Sequence, residues 1–287
     1  MGLKGVILAA GYGTRFLPVT RVVPKELLPL VDRPAIDLVV QEMLDAGIET
    51  IVVITSRRKG AVDAWFDHDM ELEAVFRHEG AEAKLAKAQP PDVGVAFVRQ
   101  RAMLGSGHAI LDAAPFLGDD PFVVAYPDDL FGAPSCTAQL VETWRETGCS
   151  VLSAHDLPDA DLSRYGVLDV QGEGPVRPVR RLVEKPPPGE APSSLVSLGR
   201  YLYTSEFLDA LKAHWERHDA SKGEYYPMAA TNALAGAGKV VARVVDAPRW
   251  DTGTPLGYLQ AVTDAALARD DVGPAFRVWL QERLKAR

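Results

Sequence analysis

Unbroken apolar runs of about six residues recur through the first two-thirds of the chain. Between them lie segments whose apolar residues return every three or four positions. "GVILAA" (5–10), "TIVVIT" (50–55), "VGVAFV" (93–98), "PFVVAY" (121–126) and "CSVLSA" (149–154) are of the first kind. A strand covered on both faces has no solvent side to mark with polar residues, so it reads as such a run. "DRPAIDLVVQEMLDAG" (32–47) is of the second kind. Ile36, Val39, Val40, Met43 and Leu44 fall on one helical face, with Asp32 as candidate cap, Pro34 near the first turn and Gly47 as the stop. Further helices are expected near 59–88, 107–114 and 137–147. Strand and helix in alternation predict an α/β fold with crossover connections and a mostly parallel sheet.

After residue 155 the rhythm changes. "YGVLDV" (165–170), "VRRLVEK" (179–185) and "LVSLGRYLYT" (195–204) read as strands with few helices between them, so this part of the sheet is expected to be mixed or antiparallel. "PPPGEAPSS" (186–194) reads as a loop and not a domain linker, because the strands on both sides need each other as partners. Helices near 205–217 and 225–236, a strand at 239–246 and two helices from about 255 complete the pattern. "GPAFRVWLQERLKAR" (273–287) is amphipathic, with Phe276, Val278, Trp279, Leu280 and Leu284 mostly on one flank. That flank can pack on its own domain or on another subunit.

Composition narrows the classes. The 287 residues are 47% hydrophobic and 24% charged, as expected of a globular chain with a sizeable core, and carry a net charge of −8. An acidic balance argues against a general nucleic-acid or membrane-surface binder, so an anionic substrate would need a local basic pocket. Two cysteines, Cys136 and Cys149, make no disulfide framework and are expected to be reduced thiols. No apolar stretch approaches the ~20 residues of a membrane span. The Val6–Ala10 run is shorter than a signal-peptide core of about 7–15 residues, and Val6 stands where a myristoylation signal needs Ser or Thr. A cytoplasmic location is expected.

Against that acidic background, "GYGTRFLPVTRVVPK" (11–25) sets Arg15, Arg21 and Lys25 directly after the first strand. Ligands of open α/β sheets bind beyond the carboxyl ends of the strands. Gly11 and Gly13 leave backbone N–H groups open to phosphate oxygens. Phe16 stands where a dinucleotide fingerprint needs a third glycine, and the Gly-Lys-Ser/Thr of a P-loop is missing. Arg15, as a bidentate fork, and Lys25, as a point charge, can neutralise a polyphosphate; Arg21 is as readily a solvated surface cation. In "RQRAMLGSGHA" (99–109) the Gln100 amide offers both a donor and an acceptor to a base edge. His108 opens a helix beside glycines and reads as structural. Asp128 in "YPDDLF" and Asp251 in "WDTGT" follow strands and supply the hard oxygens that Mg²⁺ takes; Asp129 reads as structural. "VEKP" puts Glu184 and Lys185 on opposite faces of a regular strand.

In their order along the chain, "AAGYGTRFLPVTRVVPKELLPLVDRPAI", "VRQRAMLGSGHAI", "YPDDLF", "RYGVLDV", "EKP", "LGRYLY" and "WDTGTPLGYLQA" resemble the sugar-1-phosphate nucleotidyltransferases over the whole length. The Glu26 form "PKELLPLVDRP" is similar to that of the bacterial UTP–glucose-1-phosphate uridylyltransferases. The resemblance implies a Rossmann-like three-layer α/β/α fold of the nucleotide-diphospho-sugar transferase type. It implies one domain over 1–287, with 263–287 as a C-terminal helical extension. The implied reaction is synthesis of UDP-glucose and pyrophosphate from UTP and glucose-1-phosphate, with Mg²⁺ as cofactor. It gives Arg15, Lys25 and Lys185 catalytic roles. Ala9, Ala10, Gly11, Gly13, Gln100 and Gly105 would meet the nucleotide, and Gly166, Glu184 and Gly199 the sugar; Asp128 and Asp251 would hold the metal. A homodimer or homotetramer is implied, with no nucleic-acid or membrane partner.

One segment departs from the family pattern. "KGEYYPMAATNA" (222–233) stands where Gly-Glu-x-x-Leu-Thr-Asp is common, with Ala229, Ala230 and Thr231 around the expected Thr-Asp. The choice of hexose is therefore open, as is dTTP or CTP in place of UTP. A sugar-nucleotide-dependent glycosyltransferase and a non-catalytic sugar-nucleotide binder are the readings from other classes.

Overall fold

The apolar runs all become strands of one nine-stranded sheet in a computed structural model that describes residues 2–158 and 161–285. In chain order the strands are β1 (Lys4–Leu8), β2 (Pro29–Leu30), β3 (Arg33–Pro34), β4 (Thr50–Thr55), β5 (Gly94–Arg99), β6 (Phe122–Ala125) and β7 (Asp129–Phe131). They continue with β8 (Ser150–Asp156), β9 (Gly166–Val170), β10 (Val176–Glu184), β11 (Leu195–Tyr203), β12 (Val240–Val244) and β13 (Arg249–Asp251). The large sheet runs β5-β4-β1-β6-β11-β8-β12-β10-β9, while β2–β3 and β7–β13 are two short separate ladders. β5, β4, β1 and β6 are parallel, as are β8 and β12. β11 opposes β6 and β8, and β10 opposes β12 and β9. Only β10 and β11 therefore run against the common direction, and the sheet is mixed, as the change of rhythm after residue 155 suggests.

Alternate residues of the central strands enter two hydrophobic clusters. Val6, Val52, Ile54, Phe122 and Val124 pack with Ile110, Ala113, Phe207, Leu211 and Leu234, from the helices Ser106–Leu117, Glu206–Trp215 and Met228–Gly236. Ile7, Ile51, Val53, Val123 and Ala125 pack with Val39, Val40, Met43, Leu140 and Ala261, from the helices Ala35–Asp45, Cys136–Thr147 and Pro255–Ala268. Helices thus cover both faces of the sheet, which is why the runs carry no polar alternation. Burying each large aliphatic side chain contributes about 1.5–3 kcal/mol.

Three local expectations are corrected. Asp32 does not cap a helix: Arg33–Pro34 is still paired with Pro29–Leu30, so the helix begins only at Ala35, and Asp32 instead pairs with Arg269 and Lys87. The helical stretch expected near 59–88 is divided into three helices: Gly60–Ala64, Met70–Glu79 and Glu82–Ala88. Asp69 caps the second by accepting from the Leu72 N–H at 2.9 Å, and Gly80, at φ 63°, ends it. The strands flanking loop 186–194 do not pair with each other; both pair with β9. Cys136 and Cys149 are free thiols. Of the amphipathic 273–287 segment, Gly273–Lys285 is helical, and positions 286 and 287 lie outside the described residues. Among the described residues, no helix is long and apolar enough to cross a membrane.

Candidate active site

Beyond the carboxyl ends of β1, β4 and β6 lies a cleft of about 340 Å³. Its lining includes Ala10, Gly11, Gly13, Lys25, Gln100, Gly105 and Asp128, so seven residues singled out in the sequence meet in one place. Gly13 has φ 66°, which a side chain would strain, and Thr20 Oγ1 donates to its carbonyl at 2.8 Å. Gly11 has nothing within 4 Å of where a Cβ would stand, leaving its backbone open. Ala9 is different: it is fully buried with its side chain in the cluster of the opposite face, and its N–H donates to the Ile54 carbonyl at 2.8 Å.

The metal-type carboxylates come together by a route that no local pattern announces. After β6 the chain turns at once into the three-residue strand β7, which pairs antiparallel with β13, matching Asp129 to Asp251. Asp128 is therefore held in a tight turn between two strands, not in the strand-to-helix loop that the alternation suggests. Thr252 donates to the Asp128 carbonyl with its N–H (2.8 Å) and its hydroxyl (2.9 Å). Gly253 fills the gap between the acids. A Cβ there would stand 2.8 Å from Asp128 Oδ2, 3.0 Å from Asp251 Oδ1 and 3.3 Å from Arg15 Nη1. The two carboxylate oxygens thus lie within 6 Å of each other, beside the Arg15 guanidinium.

Lys25 completes the cluster, donating from Nζ to Asp128 Oδ2 at 2.5 Å. Burial alone would push the Asp128 carboxyl up, but Lys25 outweighs it and holds the group below the usual carboxylate range. Burial likewise works against the Lys25 ammonium, and Asp128 with Glu26 raises it above its ordinary value. Asp129 faces elsewhere, paired with Arg249 on β13. His108 lines no part of the cleft; its ring contacts Trp215 at 4.9 Å.

Two further pairs escaped the sequence. Glu26, read only as a family marker, is 1% exposed, and both its oxygens accept from Lys59 Nζ at 2.7 Å. Lys59 gives no sequence signal, because a lone lysine in a polar stretch reads as solvated. The 222–233 segment docks its Tyr225 backbone on the glycine loop: Tyr225 N–H donates to the Leu104 carbonyl (2.7 Å) and Gly107 N–H to the Tyr225 carbonyl (2.9 Å). Side chains at Gly105 or Gly107 would collide with it, which explains both glycines. Glu224 of this segment lines the cleft and accepts from the Tyr226 hydroxyl at 2.8 Å. Gln100 Nε2 donates to the Gly105 carbonyl at 3.1 Å, leaving its amide oxygen for a ligand's donor.

Glu184, Lys185 and Gly166 form a second group, at the end of β10, outside the lining of the cleft. Lys185 has φ 47°, which breaks the strand alternation. The two side chains are therefore not on opposite faces, and Lys185 Nζ lies 3.7 Å from Glu184 Oε1. A side chain at Gly166 would stand 3.3 Å from Glu184 Oε2. Gly199, at φ 71°, packs against the Asp129 side chain, which alone accounts for a glycine there.

Residues 4–267 match the family model for nucleotidyl transferases. The chain belongs to that family. Among curated relatives of this nucleotidyl transferase, the UTP–glucose-1-phosphate uridylyltransferase of Staphylococcus epidermidis is 36% identical over 283 residues, 97% of each chain. A second, from Staphylococcus saprophyticus, is 38% identical over 268 residues, 92% of each chain. Of solved structures, a UTP-bound UGPase from Acinetobacter baumannii superposes with a TM-score of 0.90 at 32% identity, covering 98% of this chain and 99% of that one. A UDP-glucose pyrophosphorylase complexed with UDP-glucose gives 0.80 at 32% identity, covering 94% and 100%.

Proposed function

We propose that the protein makes UDP-glucose and pyrophosphate from UTP and glucose-1-phosphate. The observation that carries this reading is the meeting of Arg15, Lys25, Asp128 and Asp251 around Gly253, at a cleft that also holds Gln100 and Gly105. A phosphate oxygen of the sugar phosphate attacks the α-phosphorus of UTP in line. A new P–O bond forms, the bond from the α-phosphorus to the bridging oxygen breaks, and pyrophosphate leaves with that electron pair. No protein nucleophile is needed, so catalysis is positioning and charge neutralisation.

In this reading Ala10, Gly11, Gln100 and Gly105 receive the base and ribose, and Arg15 holds the departing phosphates. Lys25 offsets charge at the α-phosphate. Lys185 meets the sugar phosphate, while Glu184 accepts from sugar hydroxyls between Gly166 and Gly199. Asp128 and Asp251 fit Mg²⁺, which commonly takes one or two carboxylates together with substrate phosphates; bound there, it would supply positive charge across the phosphates.

Helices on both sheet faces support the Rossmann-like three-layer reading. The exposed Val278, Trp279 and Leu284 support a homo-oligomer, and we read the enzyme as cytoplasmic. The test is pyrophosphate release from UTP, dTTP or CTP with glucose-1-phosphate or galactose-1-phosphate, with and without Mg²⁺. UTP with glucose-1-phosphate and Mg²⁺ is expected to be fastest. Faster turnover of another pair would replace the substrates named here, and no release from any pair would remove the reaction.

A further inference from the structure

Arg200, in the "LGRYLY" motif, is fully buried on β11, below the cleft and outside its lining. Its Nη1 donates to the carbonyls of Asp129 (3.1 Å), Gly199 (3.2 Å) and Tyr126 (3.4 Å). Its Nη2 donates to Glu42 Oε2 at 2.6 Å. Glu42, on the helix Ala35–Asp45, accepts at Oε1 from the Thr137 N–H (2.8 Å) and hydroxyl (2.9 Å), at the start of the helix Cys136–Thr147. The Phe131 ring lies under the guanidinium, 5.2 Å from it.

A buried ion pair adds little net stability, since loss of hydration offsets most of the attraction. What a planar guanidinium does supply is donors in fixed directions. Here they hold the carbonyls of residues 126 and 129, which bracket Asp128, while Thr252 holds the carbonyl of Asp128 itself from the side of Asp251. The turn is fixed from the core and from the cleft at once.

We propose that Arg200, anchored by Glu42, is a positioning residue that sets the 126–129 turn so that the Asp128 carboxylate meets Asp251 and Lys25. The proposal rests on the reading that Asp128 holds the divalent ion. Glu42→Gln removes the anchoring charge at nearly constant volume, and Arg200→Lys removes the fork. Displacing a reacting group by a fraction of an ångström from a distance lowers turnover strongly, so both variants should lose about tenfold or more in kcat. The half-saturating Mg²⁺ concentration should rise at least about threefold, with the KM for UTP at saturating metal within twofold of the parent. Mn²⁺ binding to the UTP complex, followed by electron paramagnetic resonance, should weaken by the same factor, a readout that a merely structural role would not move. Thr137→Val, which removes one bond to Glu42 and leaves the ion pair, serves if the stronger variants do not fold, and should shift kcat and Mn²⁺ binding about twofold the same way. Folded variants with parental kcat and Mn²⁺ affinity would overturn the proposal. Asp128→Asn separates the two readings. Loss of Mn²⁺ binding there, alongside unchanged Glu42→Gln, removes only the positioning role. Retained Mn²⁺ binding in Asp128→Asn removes the metal reading and the proposal with it.

Discussion

Lys25 and Lys185 are both expected to meet phosphate, yet their surroundings are opposite. The Lys25 side chain is 16% exposed and paired with Asp128 at 2.5 Å, whereas that of Lys185 is 64% exposed and has its neighbour Glu184 at 3.7 Å. Around Lys25 the charges come as buried or half-buried pairs, Lys25–Asp128, Lys59–Glu26 and Arg200–Glu42. A charge taken out of water has to be paired, so burial fixes the geometry before any ligand arrives. Around Lys185 the charges keep their hydration, and a surface pair of this kind contributes about 0–1 kcal/mol. The end around Lys25 is held by the fold itself, and the end around Lys185 is left to water.

The comparison breaks most visibly at Lys59. Lys59→Met strands the Glu26 carboxylate in the interior, and unfolding in urea should show a loss of about 3–5 kcal/mol; an unchanged midpoint would mean that the buried pairs do not organise this end. Next in size is Lys25→Ala. Removing one preorganised charge contact costs about 10²–10³ in rate, and a variant that keeps more than a tenth of the parental kcat contradicts the role of Lys25.

The buried half also has a pH signature at His155, whose ring stacks on Phe131 at 5.5 Å and whose Nε2 finds no hydrogen-bond partner among the described residues. Burial, with Arg249 nearby, pushes its pKa from 6.5 down to about 4. Between those values the unfolded chain binds the proton and the folded chain does not, so stability rises with pH across that window and falls on acidification. His155→Gln should flatten the melting temperature between pH 6.5 and 4. The relative gain over the parent should grow to at most about 3 kcal/mol at the acid end; parallel curves for the two proteins would refute the assignment.

The smallest effects belong to the open half. Lys185→Ala should raise the KM for glucose-1-phosphate about tenfold, equivalent to about 1.4 kcal/mol, with the KM for UTP within twofold. Lys185→Gly should match it kinetically but be more stable than the alanine variant by about 1 kcal/mol, because glycine adopts φ 47° without strain. If instead the KM for UTP moved most, Lys185 would belong to the nucleotide side and the contrast would dissolve.

Much of the cleft is legible before folding, for a local reason. Gly11, Gly13, Arg15 and Lys25 lie within fifteen residues directly after a recognisable strand, so the chain itself delivers them to one strand end. Asp128 and Asp251 follow strands in the sequence, but an Asp there is most often a turn cap, so it is chiefly their likeness to a family that marks them. The breaks inside the helical stretch 59–88 are not legible, because Asp69 and Gly80 act as a cap and a stop only in their actual backbone conformations. The Glu184–Lys185 alternation failed at a single positive φ.

By itself, the sequence determined the central strands, most of the helices and the cationic glycine loop. Each of these depends on burial periodicity or on turn chemistry within a few neighbouring residues. Only the tertiary structure decided that Asp128 and Asp251 share a site, since the ladder that joins them is three residues long on each side and carries no periodic signal. It alone paired Lys59 with Glu26 and Arg200 with Glu42, because a buried charge finds its partner through strand order and helix packing, over separations of 33 and 158 residues.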